Sequence, residues 1–176
     1  MIDADECVML VDADDRPLGG HAKLDAHRLG LRHRAFSVFL ADSSGNLLLQ
    51  SRSTAKYHSP GLWSNTCCGH PRIGESNMAA AQRRLGEEMG IDADLVPAGR
   101  LSYCAALSNG WHENEIVHLF VGRSDTDPAP DPKEVGKWRR VQADRLTVEC
   151  QTTPAAFTAW FRIYLDEVPN IALVRS

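Results

Sequence analysis

Three histidines (His27, His33, His70), two glutamates separated by one residue (Glu113, Glu115) and the run Cys67-Cys68-Gly69-His70 are the residues of this 176-residue chain best suited to chemistry. Three imidazoles and two carboxylates suit a divalent ion, Zn2+, Mn2+ or Mg2+, with a position left for water or substrate. Each histidine taken alone reads as a surface or capping residue, so the metal reading rests on their joint occurrence. The adjacent cysteines admit four readings: metal clamp, disulfide element, nucleophile or packing. Neighbours in sequence do not normally bridge each other, because so short a ring strains the disulfide. The five cysteines, Cys7, Cys67, Cys68, Cys104 and Cys150, are odd in number and irregularly spaced, which argues against a disulfide framework.

A second chemical run lies in "SNMAAAQRRLGEEMG". Met78, Ala81, Leu85 and Met89 recur at helical spacing, Ser76 can cap the start, and Gly90 sits where a left-handed C-cap belongs. On that helix Glu87 and Glu88 lie one turn beyond Arg83 and Arg84. Carboxylates on a helix that follows a loop can hold Mg2+ against substrate phosphates. The plain alternative is a solvated face laced with ion pairs.

Short apolar runs broken by turn residues surround these groups. "CVMLVD" (Cys7 to Asp12) followed by "ADDRPLGG" reads as strand then turn. "AFSVFLADSSGNLLLQSR" predicts a hairpin about Ser43-Ser44-Gly45-Asn46, and "RLSYCAALSNGWHENEIVHLFVG" a second about Asn109-Gly110. On the second arm of the latter, alternation sends Glu113 and Glu115 to one face. A further helix is expected where Thr153 precedes Pro154, carrying Phe157, Trp160, Phe161 and Tyr164 at spacings of three and four. "SDTDPAPDP" (Ser124 to Pro132) is a proline-rich loop too short to divide domains. The expected architecture is one α+β domain over residues 1–176, a mixed or antiparallel sheet with helices packed over it.

With 43% hydrophobic residues, 24% charged residues and a net charge of -4, the composition is that of an ordinary soluble globular protein. A chain of this size buries roughly 70% of its unfolded surface and needs no staple to fold. No basic excess points to nucleic acid. The acidic N-terminus lacks a signal peptide's basic start and apolar run, and no apolar run approaches the roughly 20 residues that span a bilayer. A cytoplasmic protein with no membrane partner is expected.

From Gly69 the chain gives five residues, Glu75, seven residues, then Arg83-Arg84-Leu85-Gly86-Glu87-Glu88-Met89-Gly90-Ile91. This resembles the Nudix box over residues 69–91 and departs from it once, where Arg84 stands in place of a glutamate. A cation there argues against pyrophosphate hydrolysis and suits a diphosphate that is kept whole. "CCGHPRIGES", with "HRLGLRHRAFS", "RSTAKYHSPGLW" and "HENEI", is similar to the type 1 isopentenyl diphosphate isomerases, a Nudix-fold family, over almost the whole chain.

That resemblance implies protonation of the C3=C4 alkene of isopentenyl diphosphate and loss of a proton from C2, giving dimethylallyl diphosphate. It implies His27, His33, His70, Glu113 and Glu115 as metal ligands, and Cys68 and Glu115 as the acid–base pair, with Tyr103 beside Glu115. Glu115 with Tyr103 is expected to donate and Cys68 to accept; Cys67 is left to packing. Trp160 is implied as the aromatic face for a carbocation, an interaction of about 2 kcal/mol or more when desolvated; the apolar stripe around it also reads as plain core. Lys23, Arg52, Lys56 and Arg84 match the family's anion-binding positions. A Mg2+ ion is expected to bridge the diphosphate and Glu88, with the carbonyl of Cys68 as a further ligand. A small-molecule diphosphate is then the partner, and monomer and homodimer both remain open. Two other readings stand beside it: a Nudix hydrolase of a nucleoside diphosphate derivative, and a catalytically silent binding module.

Overall fold

The computed structural model describes residues 6–168 and Ile171; the acidic start before Glu6 lies outside them, as does part of the expected 1–176 domain. The chain opens with β1 (Cys7–Val11) and β2 (Pro17–Ala22), an antiparallel pair. Half of the expected turn "ADDRPLGG" is thus strand. A short helix not foreseen from the sequence follows, α1 (Lys23–Leu29), closed by Gly30 at φ 63°. It leads into β3 (His33–Ala41) and β4 (Leu47–Arg52). Short strands β5 (Trp63–Ser64) and β6 (Cys67–Gly69) come before helix α2 (Asn77–Met89). Then come β7 (Leu95–Ala106), β8 (His112–Arg123), β9 (Val135–Val141), α3 (Ala143–Thr152) and α4 (Ala159–Glu167). Among the described residues the nine strands form one mixed sheet, and none of the helices is long and apolar enough to cross a membrane.

Strand β3 is the spine. It pairs in parallel with β8 from His33↔Glu115 to Ala41↔Arg123, and on its other edge antiparallel with β6 at Ser37↔Cys68. Its run is apolar on both faces, as expected of a strand covered on both sides. Phe36, Val38 and Leu40 pack with Leu85 and Met89 of α2, whereas Ala35 and Phe39 pack with Trp160, Phe161 and Tyr164 of α4. The hairpin expected around Ser43–Asn46 pairs only at its mouth, Ala41↔Leu47. Beyond the turn β4 leaves β3 and pairs with β9 instead, because β6 occupies that edge of β3.

A hairpin forms about Asn109-Gly110, closed by the loop 107–111 with a 3-10 turn rather than by a two-residue turn. Both residues have positive φ, 61° and 75°, and β7 and β8 pair antiparallel from Ala106↔His112 inward. Helix α2 also carries its expected ends: Ser76 Oγ accepts from the Ala79 amide at 3.2 Å, and Gly90 is left-handed at φ 65°. The loop Ser124–Pro132 is irregular and latches onto that end, the Ala129 amide donating to the Met89 carbonyl and the Asp131 amide to that of Glu88. The C-terminal helix begins later than Pro154 suggested. Pro154–Ala156 is a single 3-10 turn, Phe157 is extended and bridges Trp63, and α4 starts at Ala159.

Candidate active site

Residues paired across neighbouring strands point to the same face. Ser37 faces Cys68, His33 faces Glu115, and Glu115 faces Tyr103. Since β6 and β8 flank β3 on opposite edges, Cys68 and Glu115 stand on either side of that strand with their side chains on one face. They line a cavity of about 390 Å3 together with Tyr103, Tyr164 and Trp160. Cys67, one residue earlier, turns the other way and is fully buried with Val38 and Leu85. All five cysteines are free thiols, which removes the disulfide reading, and the opposite facing of Cys67 and Cys68 removes the paired clamp.

The Tyr103 hydroxyl donates to Glu115 Oε2 at 2.6 Å, and His70 Nε2 lies 3.1 Å from Oε1 of the same carboxylate. Burial, reinforced by the Glu115 charge, pushes the Tyr103 phenol well above its ordinary range, so it keeps the proton it donates. Behind it the Tyr164 hydroxyl stands at 3.5 Å and receives a hydrogen bond from Ser37 Oγ at 3.2 Å. Burial, aided by Glu88, raises the Cys68 thiol to about 12, so this group holds its proton at neutral pH. The sequence reading leans to Cys68 as acceptor, whereas a protonated resting thiol suits the donor role. Trp160 donates from Nε1 to Ser64 Oγ at 2.9 Å, which fixes its ring, and the Arg52 guanidinium lies 5.2 Å from the ring centroid.

The His/Glu cluster is assembled by α1, β3, β8 and the residue that follows β6. Ligand atoms of His27, His33, His70 and Glu115 all lie within 4.8 Å of one another. One divalent ion held at about 2.0–2.2 Å from each ligand would draw such atoms only slightly closer together. His27 Nδ1 is 2.8 Å from the Lys23 carbonyl and His33 Nδ1 is 2.8 Å from that of Leu31. A carbonyl only accepts, so each Nδ1 carries the hydrogen and each Nε2 presents a lone pair to the cluster. Both Nε2 atoms, and Glu113 Oε2, are buried without a hydrogen-bond partner. Burial lowers the His70 imidazole to about 3, leaving it neutral. Buried acceptors facing one another without donors are what a cation would satisfy.

The four expected cations, Lys23, Arg52, Lys56 and Arg84, all line the cavity. Lys23 pairs with Glu6 at 2.8 Å, while Lys56 and Arg84 both reach Glu134, at 2.5 and 3.2 Å. Glu88, buried at 4% exposure, is held by Arg84 and by Gln50 Nε2 at 2.9 Å. The first glutamate of the Nudix-like run braces the backbone, since Glu75 takes two hydrogen bonds from Arg83, each 2.8 Å, and a third from the Arg72 amide at 2.9 Å.

The sequence reading passed over His58, Glu134, Gln50 and Ser64. His58 follows Tyr57 in a loop without periodicity, and only its place in the folded chain brings it to the cluster. Glu134 sits after the proline-rich loop, where acidic residues are common and carry no spacing signal.

The NUDIX domain family matches residues 31–161. The chain is 50% identical over 164 residues to the isopentenyl-diphosphate Delta-isomerase of Serratia proteamaculans, a match covering 93% of this chain and 92% of that one. It is 51% identical over 162 residues to the protein of the same name from Burkholderia multivorans, covering 92% of each. Among solved structures, DR0079 of Deinococcus radiodurans superposes with a TM-score of 0.75 at 19% identity, over 97% of this chain and 100% of that one. A MutT protein of Methanosarcina mazei does so with a TM-score of 0.64 at 19% identity, over 77% and 91%; both likenesses concern the fold alone. The chain belongs to the Nudix family and, within it, to the isopentenyl-diphosphate Delta-isomerases.

Proposed function

We propose that the protein interconverts isopentenyl diphosphate and dimethylallyl diphosphate, with Cys68 and the Tyr103–Glu115 pair as its proton-transfer groups. The supporting observation is the placement of these two groups on strands flanking β3, facing one cavity. An alkene shift needs a donor at one carbon and an acceptor at another, both within hydrogen-bonding reach. By reversibility each group donates in one direction and accepts in the other. The resting pair, a protonated thiol and a carboxylate that accepts from Tyr103, starts the cycle with Cys68 as donor.

Trp160 lies in the cavity wall with its ring fixed by Ser64, where an aromatic face stabilises a desolvated cation by about 2 kcal/mol or more. Lys23, Arg52, Lys56 and Arg84 hold the diphosphate, which displaces Glu134 from Lys56 and Arg84. His27, His33, His70, Glu113 and Glu115 would hold one divalent ion, and a Mg2+ ion would join the diphosphate to Glu88 with the Cys68 carbonyl. Bound there, these ions supply fixed positive charge beside Glu115 and beside the phosphate oxygens. Five free thiols, one of them required, fit the reducing cytoplasm.

The test is proton and phosphorus NMR of the protein with isopentenyl diphosphate and Mg2+ in D2O. Deuterated dimethylallyl diphosphate with its diphosphate intact is the expected result. Released phosphate would instead favour a hydrolase, and unchanged substrate in a metal-loaded, folded sample would favour a silent binding module.

A further inference from the structure

His58 stands at the edge of the same cluster and belongs to none of the roles above. It is buried, at 6% exposure, on the loop between β4 and β5. Its Nε2 is 3.8 Å from Glu113 Oε1, and its ring stacks on His27 with centroids 5.9 Å apart. The ligand atoms of His27, His58 and Glu113 lie within 4.8 Å of one another, as do those of His27, His33, His70 and Glu115. Two such groups share His27.

The shared histidine decides how the groups relate. Its Nδ1 is committed to the Lys23 carbonyl, so it brings one lone pair, at Nε2, and one lone pair holds one ion. That nitrogen faces Glu113 Oε2 at 3.5 Å, and both atoms are buried without a hydrogen-bond partner. Two acceptors held face to face in a dry site repel each other unless a cation or a shared proton lies between them. An ion on His27 Nε2 therefore lies beside Glu113, within reach of His58.

We propose that His58 is a ligand of that ion, making one seat of four imidazoles and two carboxylates: His27, His33, His58, His70, Glu113 and Glu115. This rests on reading the His/Glu cluster as a metal seat. The added imidazole moves the preference away from Mg2+ and towards borderline ions such as Zn2+. A site closed by protein donors would leave no position for a substrate atom and so make the ion structural, unlike the open position read from the sequence. It ties the loop that bears Lys56 to α1 and β8.

The experiment is competitive titration of Zn2+ and of Mg2+ against a chromogenic chelator, with X-ray absorption counting imidazoles on bound zinc, for the wild type, His58→Ala, His58→Asn and His27→Ala. The expected result is a loss of about 10–100-fold in Zn2+ affinity in both His58 variants with little change for Mg2+, and an imidazole count that falls from four to three. Unchanged Zn2+ affinity and count in the His58 variants, with binding lost in His27→Ala, would overturn the role of His58 alone. Wild-type zinc binding in His27→Ala would overturn the seat itself. Melting curves recorded without zinc identify any variant that fails to fold, and the asparagine variant then carries the result.

Discussion

The Tyr103 hydroxyl donates to Glu115 Oε2 at 2.6 Å, and the two residues are direct cross-strand partners on β7 and β8. The register of one hairpin therefore sets the alignment of this pair, and the Asn109-Gly110 turn sets the register. Tyr103→Phe keeps the ring in its packing and removes only the hydrogen bond. Isomerisation should fall by about 10²–10⁴-fold in kcat with the melting temperature nearly unchanged; steady-state assays beside a thermal melt measure both. Activity within a few-fold of wild type would remove Tyr103 from the proton-transfer machinery.

The two adjacent cysteines should separate cleanly. Cys68→Ala should abolish isomerisation while the fold remains, since the thiol faces the cavity. Cys67→Ala removes a sulfur from the core beside Val38 and Leu85, at a cost of about 1 kcal/mol, and should keep most activity. An inactive Cys67→Ala beside an active Cys68→Ala would reverse the assignment.

Arg84 is where the chain departs from the Nudix pattern, and Arg84→Glu restores the pattern on paper. In the fold that change puts a third carboxylate against Glu88 and Glu134 and removes a cation from the cavity. The expected outcome is loss of isomerisation with no gain of pyrophosphate hydrolysis, scored by phosphate release from a nucleotide panel. Hydrolysis appearing in this variant would show that the cavity can place a water for attack.

Glu75 gives a pH signature on stability rather than on activity. Hydrogen bonds from Arg83 hold its carboxyl below the ordinary value of 4.5. Its contribution is thus complete above that value and is lost as pH falls through the lower, folded-state value. Glu75→Gln should cost about 1–2 kcal/mol at neutral pH, and the gap to wild type should close as pH falls through the depressed folded-state value of the carboxyl. Denaturant melts at neutral pH and in mild acid test this, and a gap that persists in acid would assign the effect to packing.

Local signals were legible where local chemistry sets the structure. Ser76 and Gly90 marked the ends of α2, Asn109-Gly110 marked its hairpin, and alternation put Glu113 and Glu115 on one face. The family likeness supplied what spacing alone left open at Cys68. Illegible features were those decided by competition between distant segments. Nothing in Ala35–Arg52 announces that β6 displaces β4 from the edge of β3. Phe157 sits in a helix-like apolar stripe, yet its bridge to Trp63 extends it and delays α4 to Ala159. His58 reaches the cluster only because the β4–β5 loop folds back over α1.

The parallel pairing of β3 with β8 joins residues far apart in sequence, His33 with Glu115 among them. Such long-range pairings form late and slowly, because closing the intervening chain costs entropy before the contacts repay it. A nascent chain that has emerged only as far as α2 holds Cys68 and the histidines of the cluster but has no acid–base partner for the thiol. The reactive centre then comes into being only with the completed topology, so a partly folded molecule carries no half-built proton-transfer site.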